Sequence, residues 1–475
     1  VNAPIARLFA LVVLLFALLV GWTSRWTVFD ASSLRNNALN VRTLIDELRI
    51  KRGRILADDG TVLAKSLPAP GNTWSRTYPT GSLFSQAVGY SIAVEGRSAG
   101  LERSRGEELR GLQRGLSSIL GQLSSRRVGD DVYTTLDPKA QQVALQQLGG
   151  QPGSVVALDP QTGAVRVMVA IPGYDDNHPD QTGSGISTFN RSTQAGYPPG
   201  STFKVVTAAA AIDSGQYTPD STINGNSPVT ISGVPLSNDN NQSFGTISLT
   251  DALTFSVNTV WAQVSESLGR ATMATYMKRF GFYAKPPLDY PPDELNASRP
   301  WSSGRHSRPL APASPLEDVG RIGIGQGGLQ VTPLQMAMVA AAVANNGKLM
   351  VPRLTDKVVD QTGRTVETIK PSVYSQVMKP STAQAVGQMM KRVVEEGTGT
   401  PAQLGGIDVA GKTGTAQVGV LGSNLTQPWF IGFAPVQNPK VAIAVTVERS
   451  QGGFGGTVAA PIAKNVIQTL LSEGL

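Results

Sequence analysis

The sequence predicts an α+β protein, and three observations predict it. Residues 154–170 read as strand, tight turn, strand, in the string Ser154-Val-Val-Ala-Leu-Asp159, Pro160-Gln-Thr-Gly163, Ala164-Val-Arg-Val-Met-Val-Ala170. A further strand pattern, Val441 to Glu448, lies far downstream. Between and beyond these strands the apolar spacing is helical: near Ser201, over Ser248–Leu268, over Pro333–Asn346 and over Ala459–Leu471. Strands at both ends of this half with helices between them imply one sheet built from distant sequence and covered by helices.

The elements follow in order. Ile5 to Trp22 is apolar apart from Arg7. At about 1.5 Å per residue it spans roughly 27 Å, enough to cross a bilayer core. No Ala-x-Ala site follows Val20, so it reads as a retained anchor and not a cleaved signal. Arg7 suits the inner interface, and Trp22 and Trp26 the outer one. Residues 1–4 are then a short cytoplasmic tail, and the chain begins with Val. With Arg25 and Arg35 on the far side, the distribution of positive charge does not set the orientation. Leu34–Leu48 reads as a polar-faced helix leaving the membrane. Ile55-Leu56 and Val62-Leu63 flank Asp59-Gly60, a hairpin signal. Residues 67–82 are rich in Pro, Gly, Ser and Thr and read as loop. Gly100-Leu-Glu102 opens a charged stretch with helical spacing. Asp131 to Asp137 reads as a strand. Asp137 then caps a helix with Pro138 in its first turn, running past Gln141 and Gln142 to Leu148. A boundary at Gly149-Gly150 divides the rest into residues 23–149 and 150–475. Prolines at 286–292 and 309–315 mark a long loop, Lys285 to Pro315.

Composition narrows the chemistry. A chain of 475 residues with 40% hydrophobic content can fill two or three cores. The net charge of +7 is spread out, with no Lys/Arg run of the kind that binds nucleic acid. There is no cysteine, so there are no disulfides and no thiolate metal sites. With two histidines in the whole chain, a Ser-His-Asp or Cys-His engine is hard to build. A lysine must do what histidine does elsewhere.

Three strings supply candidates. Pro198-Pro199-Gly200 forces a turn before Ser201-Thr-Phe-Lys204, and Val205 to Ile212 is an apolar, alanine-rich helix. Ser201 therefore sits at a helix N-terminus, where free N–H groups gather, and Lys204 follows one turn later. As a base its amine must be neutral, which needs burial or a neighbouring cation. Ser256-Val-Asn258 interrupts a helical pattern; a hydroxyl there can relay a proton, while the bland alternative is an ordinary polar helix face. Lys412-Thr-Gly-Thr415 reads as an edge strand in which Gly414 lets a substrate backbone lie close, and Lys412, Thr413 and Thr415 suit a terminal carboxylate. Its bland alternative is a solvated strand. Gly323-Ile-Gly-Gln-Gly327 lacks the preceding strand and the Lys-Ser/Thr ending of a phosphate loop and reads as a backbone-dense turn.

The three strings stand in order, about 55 and 155 residues apart, and together form the set used by serine enzymes that attack penicillins and D-Ala-D-Ala amides. With Arg52-Gly-Arg-Ile-Leu56, Gly100-Leu-Glu102, Thr134-Thr-Leu-Asp137, Val155 to Gly163, Gly323 to Gly327 and Val331-Thr-Pro-Leu-Gln-Met-Ala337, the chain resembles a class B penicillin-binding protein over almost its whole length. The layout is most similar to actinobacterial members. The resemblance implies a single transmembrane anchor (5–22), a small α+β non-catalytic pedestal (23–149) and an extracytoplasmic transpeptidase domain (150–475). That domain would be a five-stranded antiparallel sheet with helices on both faces. It implies that Ser201 attacks a D-Ala carbonyl and Lys204 takes its proton. Ser201 and Thr415 N–H groups would form the oxyanion hole, Ser256 and Lys412 would shuttle the proton onward, and Asn258 would orient the substrate amide. Thr413, Gly414 and Thr415 would bind the substrate end. No cofactor or metal is implied. The implied partners are stem peptides ending in D-Ala-D-Ala, β-lactams as covalent inhibitors, divisome proteins and a SEDS-class glycan polymerase.

Rival readings remain open at this point. A β-lactamase needs a deacylating base, and Pro292-Asp-Glu-Leu-Asn296 looks like the Glu-x-x-Leu-Asn string of such enzymes; yet Pro292 stands where the base belongs, with Glu294 two positions late. A D,D-carboxypeptidase would carry the same motifs. A non-catalytic scaffold or β-lactam sensor would not need them intact.

Overall fold

The structure, a computed structural model, describes residues 2–26, 45, 47–112, 128–304, 306–419 and 423–474. Asn2–Ser24 is one helix with no buried residue. Among the described residues it is the one helix long and apolar enough to cross a membrane. Its 23 residues extend the expected span by a turn or less at each end. The helix expected over Leu34–Leu48 lies outside the described residues except for 45, 47 and 48.

The pedestal is built on a six-stranded sheet. Asp59-Gly60 does turn a hairpin: Ile55–Leu56 pairs antiparallel with Val62–Ala69, and the Asp59 carboxylate accepts from Thr61 N at 2.8 Å. Thr73–Thr77 extends this sheet on one side. Residues 67–82 are therefore not all loop. The strand Val62–Ala69 continues through Pro68, Pro70-Gly71-Asn72 turns into Thr73–Thr77, and a second turn at Pro79-Thr80 leads into the 3-10 helix Gly81–Phe84. Thr73–Thr77 is the edge strand and residues 65–69 pair only with it, so this hairpin keeps half-exposed side chains and lacks the apolar alternation that reveals a strand. On the other side Asp131–Thr134 runs parallel to Ile55–Leu56. Beyond it pair Thr355–Val359 and Thr365–Thr368, from far down the chain.

Packing also crosses the expected boundary at Gly149-Gly150 from the other direction. The helix Pro138–Leu148, capped as expected by Asp137 accepting from Ala140 N, covers the second sheet beside the helix Ala460–Ser472.

That second sheet has the order Ala410–Gln417, Leu425–Ala434, Val441–Val447, Gly153–Leu158, Val165–Ile171, all antiparallel. A two-residue strand, Ser450–Gln451, adds to the outer end of the second. Its central strands are buried along their whole length because helices cover both faces. Side chains alternate between the two cores, as strand geometry requires. Val155, Ile443 and Val445 face Pro138–Leu148 and Ala460–Ser472, whereas Val156, Ala442 and Ala444 join the larger core with the helices Lys204–Asp213, Pro333–Ala344 and Pro380–Glu395. The strand bearing Lys412 is an edge, as expected, so one of its sides has no strand partner.

The two units are joined by specific polar contacts. Tyr78 N donates to Asn177 Oδ1 and Asn177 Nδ2 donates to Tyr78 O, each at 2.9 Å. Asp289 accepts from the backbone N–H groups of Leu354 and Thr355, which lead back into the pedestal sheet.

Candidate active site

Ser201 lies in a 3-10 turn, Gly200–Phe203, that feeds directly into the α-helix Lys204–Asp213. Gly200 has φ +53°, a conformation a side chain would strain. Its N–H donates to Gly325 O at 3.1 Å, and a Cβ on Gly325 would stand 2.0 Å from Gly200 O. The Gly323–Gly327 string is thus a wall of backbone beneath the serine turn, and Thr207 Oγ1 ties the following helix to Gly323 O at 2.7 Å. On the approach, Trp429 Nε1 donates to Pro198 O at 3.0 Å and the Trp429 ring meets Tyr197 edge-on.

Ser256 separates the helices Leu249–Thr254 and Asn258–Arg279. It adopts φ +60°, and the chain turns there with Val257 N bonded back to Ala252 O. A left-handed serine costs about 1–2 kcal/mol. The turn aims both the Ser256 carbonyl and its hydroxyl inward. Lys204 Nζ donates to Ser256 O at 2.7 Å, to Asn258 Oδ1 at 2.7 Å and contacts Ser256 Oγ at 3.2 Å. Lys412 Nζ contacts the same Ser256 Oγ at 2.9 Å and donates to Thr413 O at 3.0 Å.

The strand Ala410–Gln417 reaches the serine turn through Gly414. A Cβ there would stand 2.7 Å from Pro199 O and 2.9 Å from Thr202 Cγ2. The glycine thus makes room for the turn bearing Ser201. Thr413 Oγ1 shares a hydrogen bond with Thr398 Oγ1 at 2.6 Å, and Thr415 Oγ1 accepts from Gly455 N at 3.1 Å. The Thr415 carbonyl carbon lies 3.2 Å from where a Gly200 Cβ would be.

Both lysines are fully buried. Burial first, then the charge of Lys412, drives Lys204 well below the usual lysine range, with Asp239 opposing. Burial brings Lys412 down to about 7, again against Asp239. The acceptors fit a neutral amine. Carbonyl oxygens can only accept, so Ser256 O and Asn258 Oδ1 hold the two N–H groups of a neutral Lys204, and the lone pair can take the Ser256 hydroxyl proton. Protonated, the same amine donates to all three. The cluster accommodates either state without moving.

The expected residues Ser201, Lys204, Ser256, Asn258, Lys412, Thr413, Gly414 and Thr415 therefore converge. One contact differs from expectation: among the described residues the Ser201 hydroxyl has no hydrogen-bond partner, and Lys204 is held by the Ser256–Asn258 turn. The carbonyls of that turn are stronger acceptors than a hydroxyl, and apo catalytic hydrogen bonds tighten only with substrate.

Residues 153–468 match the penicillin binding protein transpeptidase domain, and residues 52–129 match the penicillin binding protein A dimerisation domain. The chain belongs to the penicillin-binding protein transpeptidase family. It is 33% identical to the peptidoglycan D,D-transpeptidase PbpA of Mycolicibacterium smegmatis, covering 100% of both chains. It is 32% identical to PbpA of Mycobacterium tuberculosis over 99% of both. Among solved structures, penicillin-binding protein A of M. tuberculosis as a ceftriaxone acyl-enzyme superposes with a TM-score of 0.80 at 28% identity, covering 90% of this chain and 100% of that one. The D,D-transpeptidase domain of an Eggerthella lenta peptidoglycan glycosyltransferase gives 0.77 at 31%, covering 90% and 99%.

Within this penicillin-binding protein, Glu294 is engaged elsewhere. Its carboxylate accepts from Gly100 N at 3.2 Å, which docks the pedestal, and Arg103 lies 3.7 Å away. Sequence reasoning missed Asp239, Thr398 and Gly455. Asp239 stands in the run Ser237-Asn-Asp-Asn-Asn-Gln242, a polar cluster whose composition was the available signal. Thr398 and Gly455 carry no local mark; only strand and helix packing brings them to Thr413 and Thr415.

Proposed function

We propose that this chain is a membrane-anchored peptidoglycan D,D-transpeptidase that cross-links stem peptides through an acyl-enzyme on Ser201 and is acylated there by β-lactams. The observation that carries the reading is the pair of buried lysines meeting at Ser256 Oγ beside a free serine at a helix start.

Lys204 in its neutral form takes the Ser201 proton as the serine attacks the penultimate D-Ala carbonyl. The N–H groups of Ser201 and Thr415 stabilise the tetrahedral oxygen, the kind of contact whose loss costs about 10²–10³ in rate. The proton passes from Lys204 through Ser256 and Lys412 to the departing D-Ala. Asn258 orients the substrate amide, while Lys412, Thr413 and Thr415 take its carboxylate. An amine of a second stem peptide then resolves the ester. In this reading residues 150–475 form the catalytic domain and 23–149 the pedestal. Asn2–Ser24 spans the membrane once with the catalytic domain outside the cell, where the substrate lies. Relatives named as PbpA and MrdA peptidoglycan transpeptidases support a role in building the wall at division or elongation. A SEDS-class polymerase packed on the anchor fits this assignment.

Intact-protein mass spectrometry after benzylpenicillin, with mapping of the modified peptide, tests it. A stable one-to-one adduct on Ser201 that disappears in Ser201→Ala is expected. Labelling that survives that substitution means another nucleophile. Steady-state nitrocefin turnover would instead point to hydrolysis, and release of D-Ala without cross-linked dimers to a carboxypeptidase.

A further inference from the structure

We propose that Asp239 anchors the cationic amine of the acceptor strand, the nucleophile that resolves the acyl-enzyme; this rests on the transpeptidase reading above. Asp239 is exposed, begins the turn Asp239–Asn241 and touches the active site through one contact. Asn258 Nδ2 donates to Asp239 Oδ1 at 3.4 Å, while Oδ1 of the same amide accepts from Lys204. The carboxylate thus stands one side chain away from the base. Among the described residues it forms no salt bridge, and its second oxygen has no hydrogen-bond partner.

Its position is fixed. The neighbouring Asn238 is buried, donates to Gly225 O at 3.0 Å and Gln242 O at 2.9 Å, and accepts from Thr259 N at 2.9 Å. Asn240 and Asn241 both take left-handed φ values, 52° and 54°, which asparagine tolerates better than most residues. An exposed carboxylate, bonded to Asn258 and acting on the charges of Lys204 and Lys412, is thus held firmly beside the buried lysine cluster.

The chemistry of the two substrates says which one it serves. The donor peptide ends in a carboxylate, which Asp239 repels and the Lys412 strand attracts. The acceptor arrives as an alkylammonium, which Asp239 attracts. Charge therefore assigns the acceptor amine to Asp239 and the donor carboxylate to the Lys412 strand. In the step itself the ammonium at Asp239 releases one proton to solvent. The neutral amine attacks the ester carbon, the new C–N bond forms and the bond from that carbon to Ser201 Oγ breaks. The second amine proton passes to Lys204 and from it to Ser201 Oγ, leaving an amide N–H and a free serine.

The test uses the full chain in detergent. A thioester analogue of the donor forms the acyl-enzyme, and its decay is followed against two nucleophiles: a D-amino-acid amide, cationic at neutral pH, and hydroxylamine, which is uncharged there. Reading deacylation alone keeps any change in acylation out of the result. In Asp239→Asn the preference for the cationic amine over hydroxylamine should fall roughly fivefold, through KM for the amine, the size expected for one partly solvated charge contact. Asp239→Glu should restore part of it, and added salt should narrow the gap between wild type and Asp239→Asn. An unchanged preference in Asp239→Asn overturns the assignment while leaving the transpeptidase reading intact. Failure of the wild-type chain to form any acyl-enzyme overturns both.

Discussion

Lys204 and Lys412 share one acceptor, Ser256 Oγ, at 3.2 and 2.9 Å. A hydroxyl carries one proton and can give it to only one of the two amines at a time. In the proposed mechanism the pair is a proton path with a single gate, and the charge of Lys412 acts on the state of Lys204.

Acylation should follow that coupling. Burial and then the Lys412 charge depress Lys204, so the rate of β-lactam acylation should rise about tenfold per pH unit until Lys204 is deprotonated. Lys412→Met removes the positive neighbour, which raises the Lys204 pKa and moves the rising limb to higher pH. Stopped-flow acylation rates between about pH 5 and 9 decide it; a limb that stays in place would mean that Lys204 is not the titrating base.

Ser256 combines a function with a strained backbone, and two substitutions separate them. Ser256→Ala keeps the left-handed φ and loses the hydroxyl. Ser256→Gly loses the hydroxyl and relieves the strain. Both should lower acylation by about 10²–10³-fold, while chemical denaturation should find the glycine variant more stable than the alanine by about 1 kcal/mol. Equal stability would place the strain elsewhere.

Gly414→Ala should damage the nucleophile rather than substrate affinity. Its Cβ would meet Pro199 O at 2.7 Å and Thr202 Cγ2 at 2.9 Å, on either side of Ser201. Acylation should fall by at least about tenfold, since small misplacements of a reacting group are expensive in rate. An effect confined to binding of the noncovalent complex would show instead that the glycine serves to admit substrate backbone.

The pedestal has its own test in Glu102, fully buried between Arg52 at 2.7 Å and Arg76. Burial alone would raise its pKa, but the two guanidiniums outweigh burial and hold it below the ordinary value. Its stabilisation is present above the unfolded carboxyl pKa and is lost as pH falls through the depressed folded value. Glu102→Gln strands two buried cations and should cost about 3–5 kcal/mol at neutral pH. That deficit should shrink on acidification through the folded pKa. Denaturant melts at several pH values measure it, and a pH-independent deficit would show that packing, not charge, is at stake.

Much of this was legible in the sequence because it is local. The Asp59-Gly60 hairpin, the Asp137 cap, the Ser201-to-Lys204 turn and the break at Ser256 each follow from a few neighbouring residues whose backbone preferences agree. The family motifs add the convergence of Ser201, Ser256 and Lys412, which no spacing along the chain could give. The polar hairpin over 67–77 hid because an edge strand that buries little leaves no apolar period.

The sequence alone, then, determined which groups could do the chemistry and in what order they occur. Only the tertiary structure decided their state. Three segments must close over Lys204 and Lys412 before water is excluded and the amines can stay neutral. The same closure decides that Gly414 faces Thr202, that Glu294 docks on Gly100 and that Thr355–Val359 and Thr365–Thr368 return to the pedestal sheet. Burial and long-range packing are properties of the assembled chain, and they have no counterpart in any window of its residues.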